Sequence, residues 1–257
     1  MKLPRAAGVA AVALAACTAG PAPAPTVSAP PDSVEVRLAE RRRVARERLL
    51  EDWGGLSRYR AANDRLAPPA SGENRVVYIG DSITESWATY FPAHFPGKPY
   101  IARGISGQTT PQILVRFRQD VVRLKPKVVV ILAGTNDIAG NTGPSSLEMI
   151  QDNLESMAEI ARANGIRVVL SSVLPAYDYP WKRGLEPAPK IAALNSWIRG
   201  YAQSAGAVYL DYYSAMVDPR GGLRAELTRD GVHPNAAGYA LMAPLAEAAI
   251  ARAMRLP

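Results

Sequence analysis

Runs of apolar residues alternate along this chain with longer segments in which apolar residues recur at helical spacing. The run Val128–Leu132 holds no polar residue, and such a run is typical of a strand that helices cover on both faces of a parallel sheet. Shorter runs of the same kind predict further strands at Arg75–Ile79, Arg167–Leu170 and Val208–Leu210, with a weaker one at Tyr100–Ile101.

The segments between these strands predict helices at roughly 110–124, 145–164 and 190–204, and a last helix at 236–254 that Asn235 caps. About five strands that alternate with helices predict an α/β protein, a three-layer α/β/α sandwich around a parallel sheet. Ligands bind to such sheets at the carboxyl ends of the strands. Reactive residues are therefore expected directly after each strand.

Composition limits the chemistry that this fold can carry. The chain has 257 residues, of which 48% are hydrophobic and 21% are charged, as in ordinary globular proteins. Its two histidines and single cysteine are too few for a Cys/His zinc site, and one cysteine cannot form an internal disulfide. We therefore predict that the protein uses no metal and no cofactor.

The first residues have the order of a secretory signal. Lys2 and Arg5 precede an apolar stretch at 6–16, which is too short to span a bilayer. It ends in Leu-Ala-Ala-Cys at 14–17, which resembles the bacterial lipobox, whose cysteine receives a lipid. We predict a signal peptide at 1–16 and a lipid on Cys17 that anchors the protein outside the cytoplasm, on the periplasmic face of the outer membrane. The alternative is an ordinary signal peptide, with Cys17 incidental.

The residues after the signal predict a tether and a charged helix. Residues 17–34 are rich in Pro, Ala and Ser, which is typical of an extended spacer. The extension at 35–70 begins with a helical stretch in which many arginines and glutamates lie three or four residues apart, as on a solvated helix. The main domain is placed at 71–257.

The net charge of +7 invites a nucleic-acid partner. However, a secreted chain has little access to nucleic acid, and no aromatic residues lie among the arginines of the charged helix to stack bases. We therefore predict no nucleic-acid partner, and at most a weak attraction to anionic lipid headgroups.

Four short motifs follow the predicted strands or precede the last helix. Gly-Asp-Ser-Ile-Thr stands at 80–84, Gly-Ile-Ser-Gly at 104–107, Gly-Thr-Asn-Asp at 134–137 and Asp-Gly-Val-His-Pro at 230–234. Together, and in this order, they resemble the SGNH (GDSL) hydrolase superfamily over about residues 75–254. The resemblance implies a flavodoxin-like α/β/α fold and the hydrolysis of carboxylic esters. The G-x-S-x-G elbow of the α/β-hydrolase fold is absent from the chain.

The residues themselves indicate how a serine here becomes a nucleophile. A serine hydroxyl needs a base to take its proton, and imidazole suits this near neutral pH. His94 lies in a loop with no acid at an orienting spacing, whereas His233 follows Asp230 by three residues. That carboxylate can accept from Nδ1–H and leave Nε2 free to face Ser82. We predict the triad Ser82, His233 and Asp230; the alternatives are that the last two only shape a turn, or that Asp137 is the acid.

The oxyanion donors are implied by the resemblance. They are the backbone N–H groups of Ser82 and Gly107 and the side-chain amide of Asn136. A glycine at 107 lets the main chain approach closely, and an amide donates without a titratable charge. Asp81 and Gly104 are predicted to form turns rather than to react.

The residues that select the substrate are harder to recognise in the sequence than the triad. A long aromatic and basic loop at 175–183 follows the fourth strand, and its Tyr177 and Trp181 are predicted to contact substrate. Trp87, about one helical turn after Ser82, is predicted to floor the pocket. The alternatives are core packing for Trp87 and loop anchoring for Tyr177 and Trp181.

Short acyl groups, acetyl above all, are the first expectation, because no long apolar loop predicts a tunnel for a fatty chain. The expected substrate is a small-molecule ester or a glycan ester, such as an O-acetyl group on carbohydrate. Hydrolysis of lysophospholipids or thioesters is the alternative within the superfamily. A non-catalytic envelope lipoprotein that binds glycan is the alternative outside it, and no oligomeric state is predicted.

Overall fold

The computed structural model describes residues 36–256, apart from residues 38, 41–42, 45–46 and 48–49. The predicted signal peptide, Cys17 and the tether at 17–34 lie outside the described residues. The chain divides into two units, one up to Val44 and one from Ala45 onward. The described residues between 36 and 51 are helical, as the spacing of charges predicts, and in the first unit the Arg43 guanidinium lies 2.6 Å from the Glu40 carboxylate.

Five strands form one parallel sheet, as the apolar runs predict. They are β1 (Val76–Gly80), β2 (Tyr100–Gly104), β3 (Val128–Leu132), β4 (Arg167–Ser171) and β5 (Val208–Leu210). Their order in the sheet is β2-β1-β3-β4-β5, and every neighbouring pair is parallel. In the sheet β2 lies on one side of β1 and β3 lies on the other, so the connections turn in opposite directions at this point. The carboxyl ends of β1 and β3 therefore flank a crevice where a ligand can bind.

The register brings the sequence motifs to one edge of this sheet. Gly80, the last residue of β1, pairs with Gly104 of β2 and with Leu132 of β3. The motifs at 80–84, 104–107 and 134–137 therefore leave the sheet side by side. A Cβ on Gly104 would lie 2.2 Å from the Glu85 backbone nitrogen, so only glycine permits this approach of β2 to the helix after β1.

Helices connect the strands. They are α1 (Arg60–Asp64), α2 (Ser82–Trp87), α3 (Phe91–His94), α4 (Thr110–Asp120), α5 (Thr135–Ile138), α6 (Leu147–Ala163), α7 (Pro187–Ser204), α8 (Tyr213–Met216) and α9 (Ala236–Met254), with 3-10 turns at Ala88–Tyr90, Val122–Leu124 and Ala225–Leu227. The Asn235 side chain accepts from the Gly238 N–H and begins α9 where the sequence predicts it. The helix predicted at 110–124 instead ends at Asp120, because Val121 leaves helical geometry. No helix in the described part of the chain is long and apolar enough to cross a membrane.

Two apolar layers, one on each face of the sheet, form the core. Successive strand residues point to opposite faces: Val77 and Ile79 join residues of α4, α6 and α7, while Val76 and Tyr78 join residues of α2, α3 and α9. Every residue of β1 and β3 is buried, as expected of strands covered on both faces. The predicted three-layer α/β/α sandwich is thus confirmed.

A buried cation ties the ends of two strands to the loop between β2 and α4. Arg116 of α4 is fully buried and pairs at 3.1 Å with Asp120, which is equally buried. Its guanidinium also donates to the carbonyl oxygens of Gly80 (2.8 Å) and Arg103 (2.8 Å) and to Gln108 Oε1 (2.6 Å). Each guanidinium nitrogen therefore has an acceptor, which offsets the large cost of taking the ion pair out of water.

Removing this cation is expected to destabilise the fold. Arg116→Met leaves Asp120 with the Asn63 amide, at 2.7 Å, as its side-chain partner among the described residues. The free energy of unfolding, measured by urea denaturation, should fall by about 3–5 kcal/mol. The control is Arg118→Met on the exposed face of the same helix, which should change it by less than about 0.5 kcal/mol. Equal losses in the two variants would contradict the role given to Arg116.

Candidate active site

Ser82, His233 and Asp230 form a continuous chain of hydrogen bonds, although Ser82 and His233 are 151 residues apart in the sequence. Ser82 Oγ lies 2.9 Å from His233 Nε2, and His233 Nδ1 lies 2.7 Å from Asp230 Oδ2. Ser82 is the first residue of α2, which Asp81 alone separates from β1, and His233 lies in the turn before α9. The structure thus brings together the three residues that the sequence predicts as a triad.

The turn at 228–234 positions Asp230 locally. Its Oδ1 accepts from the backbone N–H groups of Val232 (3.0 Å) and His233 (2.8 Å), and the Thr228 hydroxyl closes the turn by donating to the His233 carbonyl at 2.9 Å. Burial raises the pKa of Asp230, but the hydrogen bonds from His233 and Val232 outweigh burial and leave that pKa lowered. Asp230 is therefore ionised at neutral pH and can hold Nδ1–H of His233, which leaves Nε2 as an acceptor facing Ser82.

The backbone N–H groups of Ser82 and Gly107 are free to receive a ligand. Neither donates to an acceptor among the residues that the structure describes. Gly107 has a φ of +80°, a conformation that favours glycine, and a Cβ built on it would meet no atom within 4 Å. The space next to Gly107 is thus open, as a site for a substrate oxygen requires.

Asn136 follows β3, and its side chain contacts the residue after β1 and the loop after β2. Its buried amide donates to the Gln108 carbonyl at 3.0 Å and to Asp81 Oδ2 at 3.3 Å. Its Oδ1 accepts from Asn141 Nδ2 at 2.8 Å, so the NH₂ group faces the ends of β1 and β2. Sequence reasoning missed Asn141, because its role depends on a turn that closes after the motif at 134–137 has ended.

Two further carboxylates lie buried beside the ends of β1 and β3. Burial raises the pKa of Asp81 to about 6, against the opposing effect of the nearby His233. Burial also raises the pKa of Asp137, although Thr110 donates to it through its N–H (3.0 Å) and its hydroxyl (2.6 Å). Asp137 thus holds the start of α4, whereas Asp230 is the carboxylate that contacts His233.

Trp181 and Tyr177, the two aromatic residues predicted in the loop after β4, are both exposed. The Trp181 ring centroid lies 5.9 Å from that of His233, and its Nε1–H donates to Asn141 Oδ1 at 3.3 Å. Tyr177 lies further along the edge, with the Arg220 guanidinium 5.2 Å from its ring centroid. Trp181 is therefore beside His233, and Tyr177 lines a pocket that Asp230 also lines.

Trp87 belongs to the core. Its side chain is 1% exposed, stacks on Tyr239 with 5.6 Å between ring centroids, and donates from Nε1 to His94 Nδ1 at 3.0 Å. A ring enclosed in this way cannot floor an open pocket, so its placement matches the core-packing alternative. The same hydrogen bond occupies His94, the second histidine of the chain.

A pocket of about 210 Å³ opens beside Asp230, between the loop at 177–183 and the turn at 218–223. Aromatic, cationic, acidic and apolar side chains line it, among them Tyr177, Tyr179, Arg183, Asp218, Arg220 and Leu223. The Asp218 carboxylate accepts from the backbone N–H groups of Arg220 and Gly222, both at 2.8 Å. Arg183 has no ion-pair or hydrogen-bond partner among the described residues, so its guanidinium is available to a ligand.

Comparison with known proteins places this site in a family. The sequence model of the GDSL-like Lipase/Acylhydrolase family matches residues 78–241. The solved structure of a GDSL-like lipase from Bacteroides thetaiotaomicron has a TM-score of 0.75 and is 46% identical, over 78% of this chain and 98% of that one. Esterase TesA of Pseudomonas aeruginosa is 28% identical over 66% of this chain and 83% of that protein. An acetylxylan esterase of Xylanibacter ruminicola is 25% identical over 79% of this chain and 47% of that protein.

The chain therefore belongs to the GDSL-like lipase/acylhydrolase family, and it is an ester hydrolase of the SGNH type. The family match begins inside β1 and ends inside α9, so it includes all four sequence motifs. The membership that these motifs predict is confirmed.

The buried Asp81 leads to a prediction for acid pH. Ionised Asp81 accepts the Asn136 N–H at 3.3 Å, and protonation of this carboxyl weakens the bond that orients the amide. Because burial raises the pKa of Asp81 to about 6, the ratio of kcat/KM in the unmodified protein to kcat/KM in Asp81→Asn should fall as the pH is lowered through about 6. The pH–rate profiles of p-nitrophenyl acetate hydrolysis by the two proteins measure this ratio.

Asp81→Asn is the matched variant, because it keeps the size of the side chain and removes its ionisation. The ratio therefore separates the ionisation of Asp81 from that of the groups that both proteins share. A ratio that stays constant across about pH 6 would contradict the contribution of Asp81.

Proposed function

We propose that this protein is a serine esterase that hydrolyses short-chain carboxylic esters, above all acetyl esters, and that its substrates are O-acetyl groups on carbohydrate. Ser82 Oγ attacks the ester carbonyl while His233 Nε2 takes the hydroxyl proton and Asp230 stabilises the imidazolium. His233 then gives this proton to the leaving alcohol. Water, deprotonated by the same nitrogen, attacks the acyl-enzyme, releases the acid and restores the serine.

In this mechanism three groups stabilise the negative oxygen of the tetrahedral intermediate: the N–H groups of Ser82 and Gly107 and the Asn136 amide. Support comes from the two backbone groups, which donate to no acceptor in the described part of the chain. The Asn136 amide makes one long bond, 3.3 Å to Asp81, which a substrate oxyanion can replace.

The observation that carries the proposal is the 2.9 Å contact between Ser82 Oγ and His233 Nε2. A base at this distance can take the hydroxyl proton directly. A glycan-binding protein needs no such contact, because recognition of a sugar does not require a nucleophile beside a base. The geometry therefore weighs against the non-catalytic alternative.

A small acyl group is supported by the aromatic wall beside His233. The Trp181 indole bonds to Asn141 at 3.3 Å, and its ring lies 5.1 Å from that of Tyr179. Trp181 and Tyr179 therefore form a fixed aromatic wall beside His233, and a wall so close to the proposed base favours a small acyl group. The similarity to a protein named acetylxylan esterase supports acetyl as the group removed.

Carbohydrate as the alcohol part is supported by the pocket beside Asp230. Tyr177 is 58% exposed and offers an apolar ring face to a sugar. Arg183 and Arg220 can donate to sugar hydroxyl groups from the wall of the same pocket. A lysophospholipid or a fatty thioester calls for an apolar channel, which this mixed polar lining does not favour.

Nitrophenyl esters test the chemistry and the acyl size together. We expect a higher kcat/KM for p-nitrophenyl acetate than for the octanoate. Ser82→Ala should lower kcat for the acetate by a factor on the order of 10⁴ or more, because the nucleophile is lost. Ser204→Ala, at the exposed end of α7, is the control and should keep full activity.

Three outcomes would contradict parts of this proposal. Equal slow turnover in Ser82→Ala and the unmodified protein would favour the glycan-binding alternative. A preference for the octanoate, or release of fatty acid from lysophosphatidylcholine without release of acetate from acetylated xylan, would favour the lysophospholipase alternative. A preference for acyl thioesters over oxygen esters of the same acyl group would favour the thioesterase.

We also propose that a lipid on Cys17 anchors the protein outside the cytoplasm, on the periplasmic face of the outer membrane. The support is the sequence at 2–17. Cys17→Ala should move the protein from the membrane to the soluble envelope fraction, because acyl chains contribute about 0.8 kcal/mol per buried CH₂. Immunoblots of the separated fractions measure this, and a variant that stays on the membrane would rule out the anchor.

A further inference from the structure

A segment that precedes the family-matched region packs against the loop that carries Gly107. This segment, residues 52–63, is called the brace below; the family match begins at residue 78. Three glutamine side chains from the loop and from α4 donate to its carbonyl groups: Gln108 to Gly54 at 3.0 Å, Gln112 to Trp53 at 2.7 Å and Gln119 to Leu56 at 2.7 Å.

Tyr59 of the brace reaches the start of this loop. Its hydroxyl donates to the carbonyl of Gly104, the last residue of β2. The guanidinium carbons of Arg103 and Arg58 lie 4.7 Å and 5.2 Å from the centre of its ring. Burial raises the pKa of Tyr59, so the phenol keeps its proton and remains a donor at neutral pH.

Arg58 of the brace supports the middle of the loop through Glu85 of α2. Arg58 Nη2 lies 2.9 Å from Glu85 Oε1, and Glu85 Oε2 accepts from the Ser106 N–H at 2.8 Å and from the Ser106 hydroxyl. Burial raises the pKa of Glu85, but the bonds from Ser106 and Arg58 outweigh burial and leave that pKa lowered. An ionised carboxylate therefore holds the residue directly before Gly107.

Gly107 depends on these neighbours for its position. Its own N–H has no acceptor among the described residues, its carbonyl accepts a long bond of 3.3 Å from Asn141 Nδ2, and its Cα faces open space. On one side Ser106 is held by Glu85, and on the other Gln108 is held between Gly54 and Arg116. Contacts from the brace thus reach the loop on both sides of the glycine.

We propose that the brace is part of the catalytic unit, and that Tyr59, Arg58 and Glu85 are positioning residues for the Gly107 N–H. The inference rests on the proposed function, in which this N–H donates to the oxyanion. A displacement of 1 Å in an active-site group can cost about 10²-fold in rate. Because the oxyanion forms in both acylation and deacylation, both steps should slow together, and KM should change little.

Full-length Tyr59→Phe and Glu85→Gln test this proposal. With p-nitrophenyl acetate we expect kcat to fall by about tenfold to a hundredfold in each variant, with KM within about twofold of the unmodified value. Tyr201→Phe is the matched control for Tyr59→Phe. It removes the hydroxyl of a half-buried tyrosine on α7 that stacks on Trp197, and it should leave kcat unchanged.

Thermal unfolding of the same variants distinguishes positioning from simple stabilisation. A lowered Tm with unchanged kcat at 25 °C, or a raised KM with unchanged kcat, would overturn the proposal. If either variant fails to fold, Ser106→Ala removes only one hydroxyl contact with Glu85 and should still lower kcat with KM unchanged. Unchanged kcat in Ser106→Ala would then overturn it.

Ser82→Ala keeps this inference separate from the proposed function. If Ser82→Ala is inactive while both brace variants keep full kcat, the brace proposal fails and the esterase mechanism stands. If Ser82→Ala retains activity, the mechanism itself fails.

Discussion

A fully buried guanidinium, that of Arg116, joins the parts of the molecule that must meet at the site. Removing a charge from water costs several kcal/mol, so the native state must offer it acceptors on every side. Those acceptors are the carboxylate of Asp120, the last carbonyl of β1, a carbonyl near the end of β2 and the Gln108 side chain. Ser82 lies just after the end of β1, and Gly107 is the residue before Gln108, so both are next to groups that Arg116 holds. Arg116 therefore holds the proposed nucleophile, Ser82, and the loop that carries Gly107 in one frame.

Asp230 and His233, the proposed acid and base, are positioned by different means from Ser82, the proposed nucleophile. Asp230 and His233 lie in one short turn, where backbone N–H groups hold the carboxylate and the carboxylate holds the imidazole. Ser82 depends instead on the sheet and on the helix that begins with it. One long-range contact, between Ser82 Oγ and His233 Nε2, joins the two parts. Asp81 connects the electrostatics of both, because it is buried next to Ser82, accepts the Asn136 amide and interacts with the charge of His233.

The family motifs can be recognised in the sequence, whereas the contacts that residues 52–63 make cannot. Glycine turns and an Asp–His pair at fixed spacing can be recognised along the chain. A glutamine that donates to a carbonyl far away in the sequence belongs to no periodic pattern, so the sequence does not reveal its partner. The sequence predicts residues 35–70 to be an extension that is distinct from the main domain at 71–257. Hydrogen bonds nevertheless cross position 71, from Tyr59 to Gly104 and from Arg58 to Glu85. The edge of the sheet that carries Ser82 and this upstream segment therefore share one network of hydrogen bonds.

The sequence by itself determined the strands, because short apolar runs rich in β-branched residues are typical of a parallel sheet that helices cover. It also determined the Asp230–His233 pair, because three residues of spacing are a local constraint. It also placed the motifs at strand ends, and their order identified the family. Only the tertiary structure decided that Trp87 lies in the aromatic core, that Asn141 orients Asn136, that burial moves the pKa of Asp81 to about 6, and that Tyr59 reaches Gly104. Each of these depends on burial or on distances between residues far apart in the chain, and local sequence patterns contain neither quantity.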